Sequence, residues 1–369
     1  MAFDPFVLAQ PGICELQPYQ PGKPVNELER ELGINNIIKL ASNENPLGPS
    51  PRALEAITNM LQDCARYPDG NGFALKQALA NHHGVGHDCI TLGNGSNDVL
   101  ELLARVFAGP GLQILFSEHA FAVYPIAAKS VGADSVIVPA RDWGYDLDAL
   151  LDAITMDSRL VFIANPNNPT GTWLTSQQLK QFLDRVPEHV VVVLDEAYAE
   201  YVQTADYPDS VSWLQLYDNL VITRTFSKAY GLAALRVGYA LASPAIADLL
   251  NRVRQPFNVN ALALAAAEAA LSDSNYLTRS IEMNLAGMQQ LTAGFEARGL
   301  DYIPSVGNFI SVDVARESMP VFNALLKEGV IVRPVANYGM PTHLRVTVGT
   351  KDENDRFLAA LDTVLVSPA

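Results

Sequence analysis

Basic residues are in short supply. The chain carries 25 Lys and Arg against 40 Asp and Glu, a formal charge of −15 over 369 residues. Such a surface repels nucleic acid and anionic lipid, so neither is an expected partner. Cysteine is equally sparse. Cys14, Cys64 and Cys89 form an odd set with no metal-ligand spacing, which excludes a complete disulfide framework and gives no metal site. The expectation is reduced thiols in a cytoplasmic protein. No apolar run approaches the ~20 residues of a membrane span. The segment MAFDPFVLAQPG has no basic stretch followed by an apolar one, so no signal peptide is expected. What is abundant is ordinary: 49% hydrophobic and 18% charged residues describe a globular chain, long enough for two domains.

Residues 1 to about 45 are proline-rich with little periodicity and read as an arm that packs on another part of the molecule. Short apolar runs follow at 113–116, 135–138, 160–164, 190–194, 220–225 and 237–241, with helical character between most of them. This alternation predicts an α/β architecture with a mainly parallel central sheet covered on both faces. Beyond about 255 the pattern changes. A long helical region spans 260–299, and strand-like pieces at 308–314, 330–334 and 344–348 flank a helix at 321–327. That predicts a smaller α+β domain, giving an arm over 1–45, a large domain over 46–255 and a small domain over 256–369.

Ligands of open α/β sheets bind beyond the carboxyl ends of the strands. Four such places carry distinctive residues. Gly93-Asn94-Gly95-Ser96-Asn97 precedes an amphipathic helix with Val99, Leu100, Leu103 and Val106 on its apolar side. Its backbone suits a phosphate, although Ser96 or Asn97 also reads as an ordinary helix cap. Asn165-Pro-Asn-Asn-Pro-Thr-Gly171 follows a strand and presents the Asn168 amide, or is turn chemistry alone. Asp195-Glu196-Ala197-Tyr198 places a carboxylate at the end of an apolar strand, where it needs a cation or caps the next helix. Thr225-Phe226-Ser227-Lys228 with Arg236 combines hydroxyls and a guanidinium suited to a phosphate monoester with an amine suited to a Schiff base, if Lys228 is not simply a surface residue.

The order and intervals of these motifs, 27 residues from 168 to 195 and 33 from 195 to 228, resemble the class I/II, fold-type-I pyridoxal-phosphate aminotransferases over essentially the whole chain. The resemblance implies that Lys228 holds the cofactor covalently and moves the substrate proton. It implies that Asp195 keeps the pyridine nitrogen protonated, and that Asn168 and Tyr198 bond the ring oxygen. Phe121, in His119-Ala-Phe-Ala-Val-Tyr124, is implied to stack on the ring, and Gly95, Ser96, Thr225, Ser227 and Arg236 to form the phosphate cup.

Three further stretches resemble the histidinol-phosphate aminotransferase branch of that family: Leu40-Ala-Ser-Asn-Glu-Asn-Pro-Leu-Gly48, Arg66-Tyr-Pro-Asp-Gly70, and Val332-Arg-Pro334 with Leu344-Arg-Val-Thr-Val-Gly349. They imply transamination of L-histidinol phosphate with 2-oxoglutarate, in a cytoplasmic homodimer whose arm joins the small domain. Arg345 then takes the substrate carboxylate, and Arg333 takes the phosphate or the distal carboxylate of glutamate. Tyr19 and Asn43 contact the substrate, and Tyr67 reaches a cofactor phosphate in the partner subunit. The loop Arg333-Pro-Val-Ala-Asn-Tyr-Gly-Met340 also resembles aminotransferases acting on aromatic amino acids, the nearest alternative. Threonine-phosphate decarboxylase is a more distant one.

Overall fold

The structure, a computed structural model, describes residues 3–9, 12–16, 18 and 22–366. The strands among them are β1 (Ile38–Lys39), β2 (Ile90–Gly93), β3 (Gln113–Ser117), β4 (Asp134–Val138), β5 (Ser158–Ala164), β6 (Val191–Asp195), β7 (Leu220–Thr225), β8 (Gly238–Ala242), β9 (Tyr302–Ile303), β10 (Phe309–Asp313), β11 (Val330–Ile331), β12 (Arg333–Pro334) and β13 (His343–Thr347).

Continuous apolar runs make the central sheet, because both of its faces are covered. Its seven strands are ordered β2-β8-β7-β6-β5-β3-β4. Alternate residues feed two cores. Val161, Ile163, Val192, Leu194, Leu220 and Ile222 face one side. Leu160, Phe162, Val191, Val193 and Val221 face the other, under the helices Ser96–Phe107 and Val123–Ser130.

Strands β3 to β7 are mutually parallel, whereas β8 runs antiparallel to both β7 and β2. Hydrophobic runs carry no direction, so this reversal was not legible in them. It matters for the site. The chain leaves the carboxyl end of β7, turns through Ser227, Lys228 and Arg236, and re-enters the sheet at that same edge. A helical crossover would have returned it at the opposite edge.

Four strands, β12-β13-β10-β9, form an antiparallel sheet backed by the helices Ser274–Glu296, Ser318–Lys327 and Lys351–Val366. Ile310, Val312, Leu344, Val346, Leu291, Phe295 and Phe357 fill its core. Strand β1 pairs in parallel with β11 in a separate two-stranded sheet, which stitches the segment before residue 45 to the chain just ahead of β12. The helix Ala261–Leu271 lies beyond 255 but packs Ala263, Ala266, Ala267 and Ala270 into the first core, where small side chains permit close approach. The short strands β1, β2 and β9 and the amphipathic helix Val25–Leu32 are additions to the predicted elements.

Candidate active site

The carboxyl edge of the central sheet opens into a cavity of about 180 Å³ lined on one side by β5, β6 and β7 and on the other by residues near β1, β12 and β13. Ser96, Phe121, Asn168, Asp195, Tyr198, Thr225, Ser227, Lys228, Arg236, Asn43, Arg333 and Arg345 all line it. Residues from sequence positions 43 to 345 thus converge on one space.

At the floor, Asp195 ends β6 and is buried. Tyr124 donates its hydroxyl to Oδ2 at 3.0 Å, and Thr223 donates to Oδ1 at 2.9 Å. Burial pushes the carboxyl up to about 6, and these two hydrogen bonds oppose the rise by favouring the charged form. A buried carboxylate with no salt-bridge partner among the described residues is poised for a cation in the cavity.

Lys228 enters from the β7–β8 turn. Its Nζ donates to the Ser42 carbonyl at 3.1 Å and lies 5.6 Å from the centre of the Tyr198 ring. Burial, aided by the positive charge of Arg345, pushes its ammonium down to about 7. Near neutral pH a large share is therefore the free amine, the nucleophilic form. The Tyr198 hydroxyl accepts from Asn43 Nδ2 at 2.9 Å, and burial pushes that phenol up to about 12, so it stays a hydrogen-bond donor.

The anion-binding end is built from backbone. Gly95 precedes the helix Ser96–Phe107 with φ 78° and ψ 165°, a region open essentially to glycine alone, and no side chain caps the helix. The ordinary-cap reading of Ser96 and Asn97 is thereby replaced: the first-turn amides are left for a ligand. A Cβ on Gly95 would stand 2.5 Å from Arg236 Nη2, so the missing side chain makes the cradle. Arg236 also donates to Ser227 Oγ at 3.4 Å.

On the far wall Arg333 and Arg345 are direct partners across the β12–β13 ladder. Like charges so placed repel, and a shared anion relieves them. Arg345 is buried and donates to Asn168 Oδ1 at 2.5 Å and to the Ala41 carbonyl at 2.7 Å. With its Oδ1 engaged, Asn168 keeps its amide nitrogen as a donor for the cavity.

These residues fit pyridoxal phosphate. A glycine cradle with hydroxyls and a guanidinium suits its phosphate, a buried carboxylate suits its ring nitrogen, and a partly neutral lysine suits its aldehyde.

The pattern of the family described as aminotransferase class I and II matches residues 35–361. The histidinol-phosphate aminotransferase 2 of Pseudomonas fluorescens is 63% identical over 99% of both chains. That of Pseudomonas aeruginosa is 62% identical over 98% of this chain and 99% of its own. The crystal structure of histidinol-phosphate aminotransferase from Sinorhizobium meliloti, in complex with pyridoxal-5′-phosphate, superposes with a TM-score of 0.89 at 30% identity, covering 97% of each chain. The chain belongs to the class I and II aminotransferases.

One residue implied for this aminotransferase, Tyr67, is not brought into the cavity. Tyr67 is 82% exposed and stacks on Phe257 with ring centres 4.6 Å apart, on a separate surface cleft. Any contact of Tyr67 with a cofactor phosphate therefore needs a second copy of the chain. Tyr19 lies outside the described residues. In return, Tyr124 and Thr223 were missed as partners of Asp195. Thr223 had a signal: it precedes Thr225 by two residues on one strand, so both side chains share a face. Tyr124 follows the singled-out Phe121 by one helical step, and its burial gave no sign in sequence. No helix among the described residues is long and apolar enough to cross a membrane.

Proposed function

We propose that the aminotransferase converts L-histidinol phosphate and 2-oxoglutarate to imidazole acetol phosphate and L-glutamate, the transamination of histidine biosynthesis, with pyridoxal phosphate as cofactor. The observation that carries this reading is the Arg333–Arg345 pair facing Lys228 and Asp195 across one cavity. Its support in kind is the near-full-length similarity to relatives of that name.

Bound pyridoxal phosphate supplies an aldehyde for the amino group and a protonated ring that accepts the electron pair left at the substrate α-carbon. The chain does the rest. Gly95, Ser96, Thr225, Ser227 and Arg236 hold the phosphate. Asp195 holds a proton on the ring nitrogen, its own position set by Tyr124 and Thr223. Asn168 and Tyr198 orient the ring oxygen, Asn43 orients Tyr198, and Phe121 covers the ring face. Lys228 would anchor the cofactor, and its Nζ would accept the substrate α-proton. Arg345 grips the carboxylate of glutamate or 2-oxoglutarate. Arg333 takes the phosphate of histidinol phosphate or the distal carboxylate, because a guanidinium pairs with either anion in a bidentate way. A chain of charge −15 thus makes its cavity attractive to anions with three local arginines.

The same reading includes a cytoplasmic homodimer, with Tyr67 acting in the partner's site. It includes an arm over 1–45, supported by the β1–β11 pairing, a large domain over 46–255 and a small domain over 256–369, with the helix Ala261–Leu271 packed on the large domain's core.

Arg333→Leu tests the substrate. Losing a charge-assisted contact of roughly 1.5–3 kcal/mol lowers kcat/KM about 10- to 150-fold for histidinol phosphate. Single-turnover half-reactions with histidinol phosphate, glutamate and phenylalanine separate the donors. Phenylalanine has no distal anion and should be nearly unaffected; an equal loss for all three removes the case for a phosphate-bearing substrate.

A further inference from the structure

A strained tryptophan lies outside the set of residues assigned so far. Arg141 and Gly144 exchange both backbone hydrogen bonds, at 3.1 and 2.8 Å, closing a two-residue hairpin turn. Its central residues are Asp142 with φ 48° and Trp143 with φ 65°. Turns of this kind favour Asn-Gly or Asp-Gly, since the second position is left-handed. A bulky side chain there is an outlier whose strain must be repaid by other contacts. Burial alone does not repay it, because Trp143 is 39% exposed.

Its contacts join the segments that carry Phe121 and Arg345, residues of opposite walls of the cavity. The indole lies against His119, ring centres 5.2 Å apart, and against His343 at 5.1 Å. His119 stands two residues before Phe121. Its Nδ1 donates to the Tyr338 carbonyl at 2.6 Å, on the short helical turn Ala336–Tyr338 that follows Arg333. His343 stands two residues before Arg345 on β13, so both side chains point to one face of that sheet. The Trp143 carbonyl accepts from Thr172 at 3.2 Å, and Thr172 contacts Thr170 at 2.9 Å. Asn167 donates to both Thr170, at 2.8 Å, and the His119 carbonyl, at 3.1 Å, and the next residue is Asn168.

We propose that Trp143 is a positioning residue for the substrate arginines: wedged between His119 and His343, it sets the Arg333–Arg345 wall at its working distance from Phe121 and Asn168. The inference rests on the reading of those arginines as the anion-binding pair. Trp143 touches no substrate itself. The Trp143 ring meets both histidines, whereas glycine suits the turn better. The residue that is locally unfavourable is thus the one that joins the segments bearing Phe121 and Arg345.

Two substitutions separate strain from function in the cofactor-loaded enzyme. Trp143→Gly relaxes the turn, so its Tm should match or exceed that of the parent protein. Its affinity for 2-oxoglutarate, read by direct titration, should fall on the order of ten-fold, and KM for histidinol phosphate should rise similarly with kcat within about three-fold. Trp143→Phe, which keeps a ring, should recover most of the affinity. Unchanged affinity in Trp143→Gly, or no recovery in Trp143→Phe, overturns the proposal. A second measurement needs no change at the residue. With Trp173→Phe and Trp213→Phe, Trp143 is the only tryptophan left, and its emission should shift when 2-oxoglutarate binds the arginine wall it supports. Constant emission at saturation overturns the proposal even if Trp143→Gly fails to fold. Should the parent protein bind 2-oxoglutarate with that shift yet turn over no histidinol phosphate, the substrate assignment falls and the positioning role stands.

Discussion

Asp195→Asn should make the cofactor-free protein more stable as pH rises, while disabling the enzyme. Folding raises the carboxyl from 3.8 to about 6, chiefly by burial. A carboxyl raised on folding contributes stability that is full below its unfolded value and is lost as pH climbs through the folded one. The shift of 6 − 3.8 = 2.2 units corresponds to about 3 kcal/mol lost when the climb is complete. Between about pH 5 and pH 7.5 the loss is about 1–1.5 kcal/mol. Asparagine does not titrate and escapes it. It does offer one acceptor oxygen to two hydroxyl donors, Tyr124 and Thr223, which costs about 1 kcal/mol at every pH. The quantity to follow is therefore the slope, not the offset. Glu196 and Glu200, also pushed up by burial, are present in both proteins and largely cancel. Urea denaturation of both cofactor-free proteins across that pH range reads the difference directly. The stability of Asp195→Asn relative to the parent should grow with pH, and added pyridoxal phosphate should reverse the order by stabilising the parent more. A difference that is flat or shrinks with pH would refute the picture of a buried carboxylate held ready for a cation.

Lys228→Ala should abolish borohydride-fixable attachment of the cofactor and lower turnover at least about 10³-fold. Its Tm without cofactor should not fall, since the substitution removes a buried amine with a lowered pKa; substantial remaining transamination would sink the role of Lys228. Gly95→Ala should raise the Kd for pyridoxal phosphate at least about ten-fold, because the new methyl meets Arg236 and the backbone conformation is closed to alanine. Equilibrium binding checks it, and parent-like affinity would move the phosphate elsewhere. Mixed dimers of Tyr67→Phe with Lys228→Ala test action across subunits. The one intact lysine then sits beside a tyrosine lent by the other chain, so one site of near-normal cofactor retention should return; none returns if Tyr67 acts within its own chain.

Much of the cavity was legible because of what a parallel sheet does to a sequence. Every strand of β5, β6 and β7 ends at the same edge, so Asn168, Asp195, Thr225 and Lys228 gather there from the strand pattern alone. The Asp195 partners were harder. Tyr124 reaches the carboxylate from a helix on one face of the sheet, and Thr223 from the neighbouring strand, and neither approach is encoded in spacing from residue 195. The antiparallel return of β8 was also hidden, since Gly238-Tyr-Ala-Leu-Ala242 reads the same in either direction of travel. Trp143 gave no signal: nothing in Arg-Asp-Trp-Gly marks a residue with φ 65°.

The second sheet shows why anion recognition was the least legible property. Arg333 and Arg345 were expected as a substrate-binding pair only through the family resemblance, since nothing in their spacing places them together. Their meaning comes from the β12–β13 register, which sets them directly opposite and adds their charges at one wall. A slip of one residue would turn one guanidinium to the other face and leave two isolated cations on opposite sides of the sheet. The register is held by buried neighbours on the same strands: Leu344 and Val346 pack against Ile310 and Val312 in the core, so the apolar face is committed inward. The hydrophobic alternation of β13 therefore specifies the polar site. Arg345 lies between Leu344 and Val346, and the burial of those two obliges the guanidinium to point the other way, towards Asn168 and the cavity.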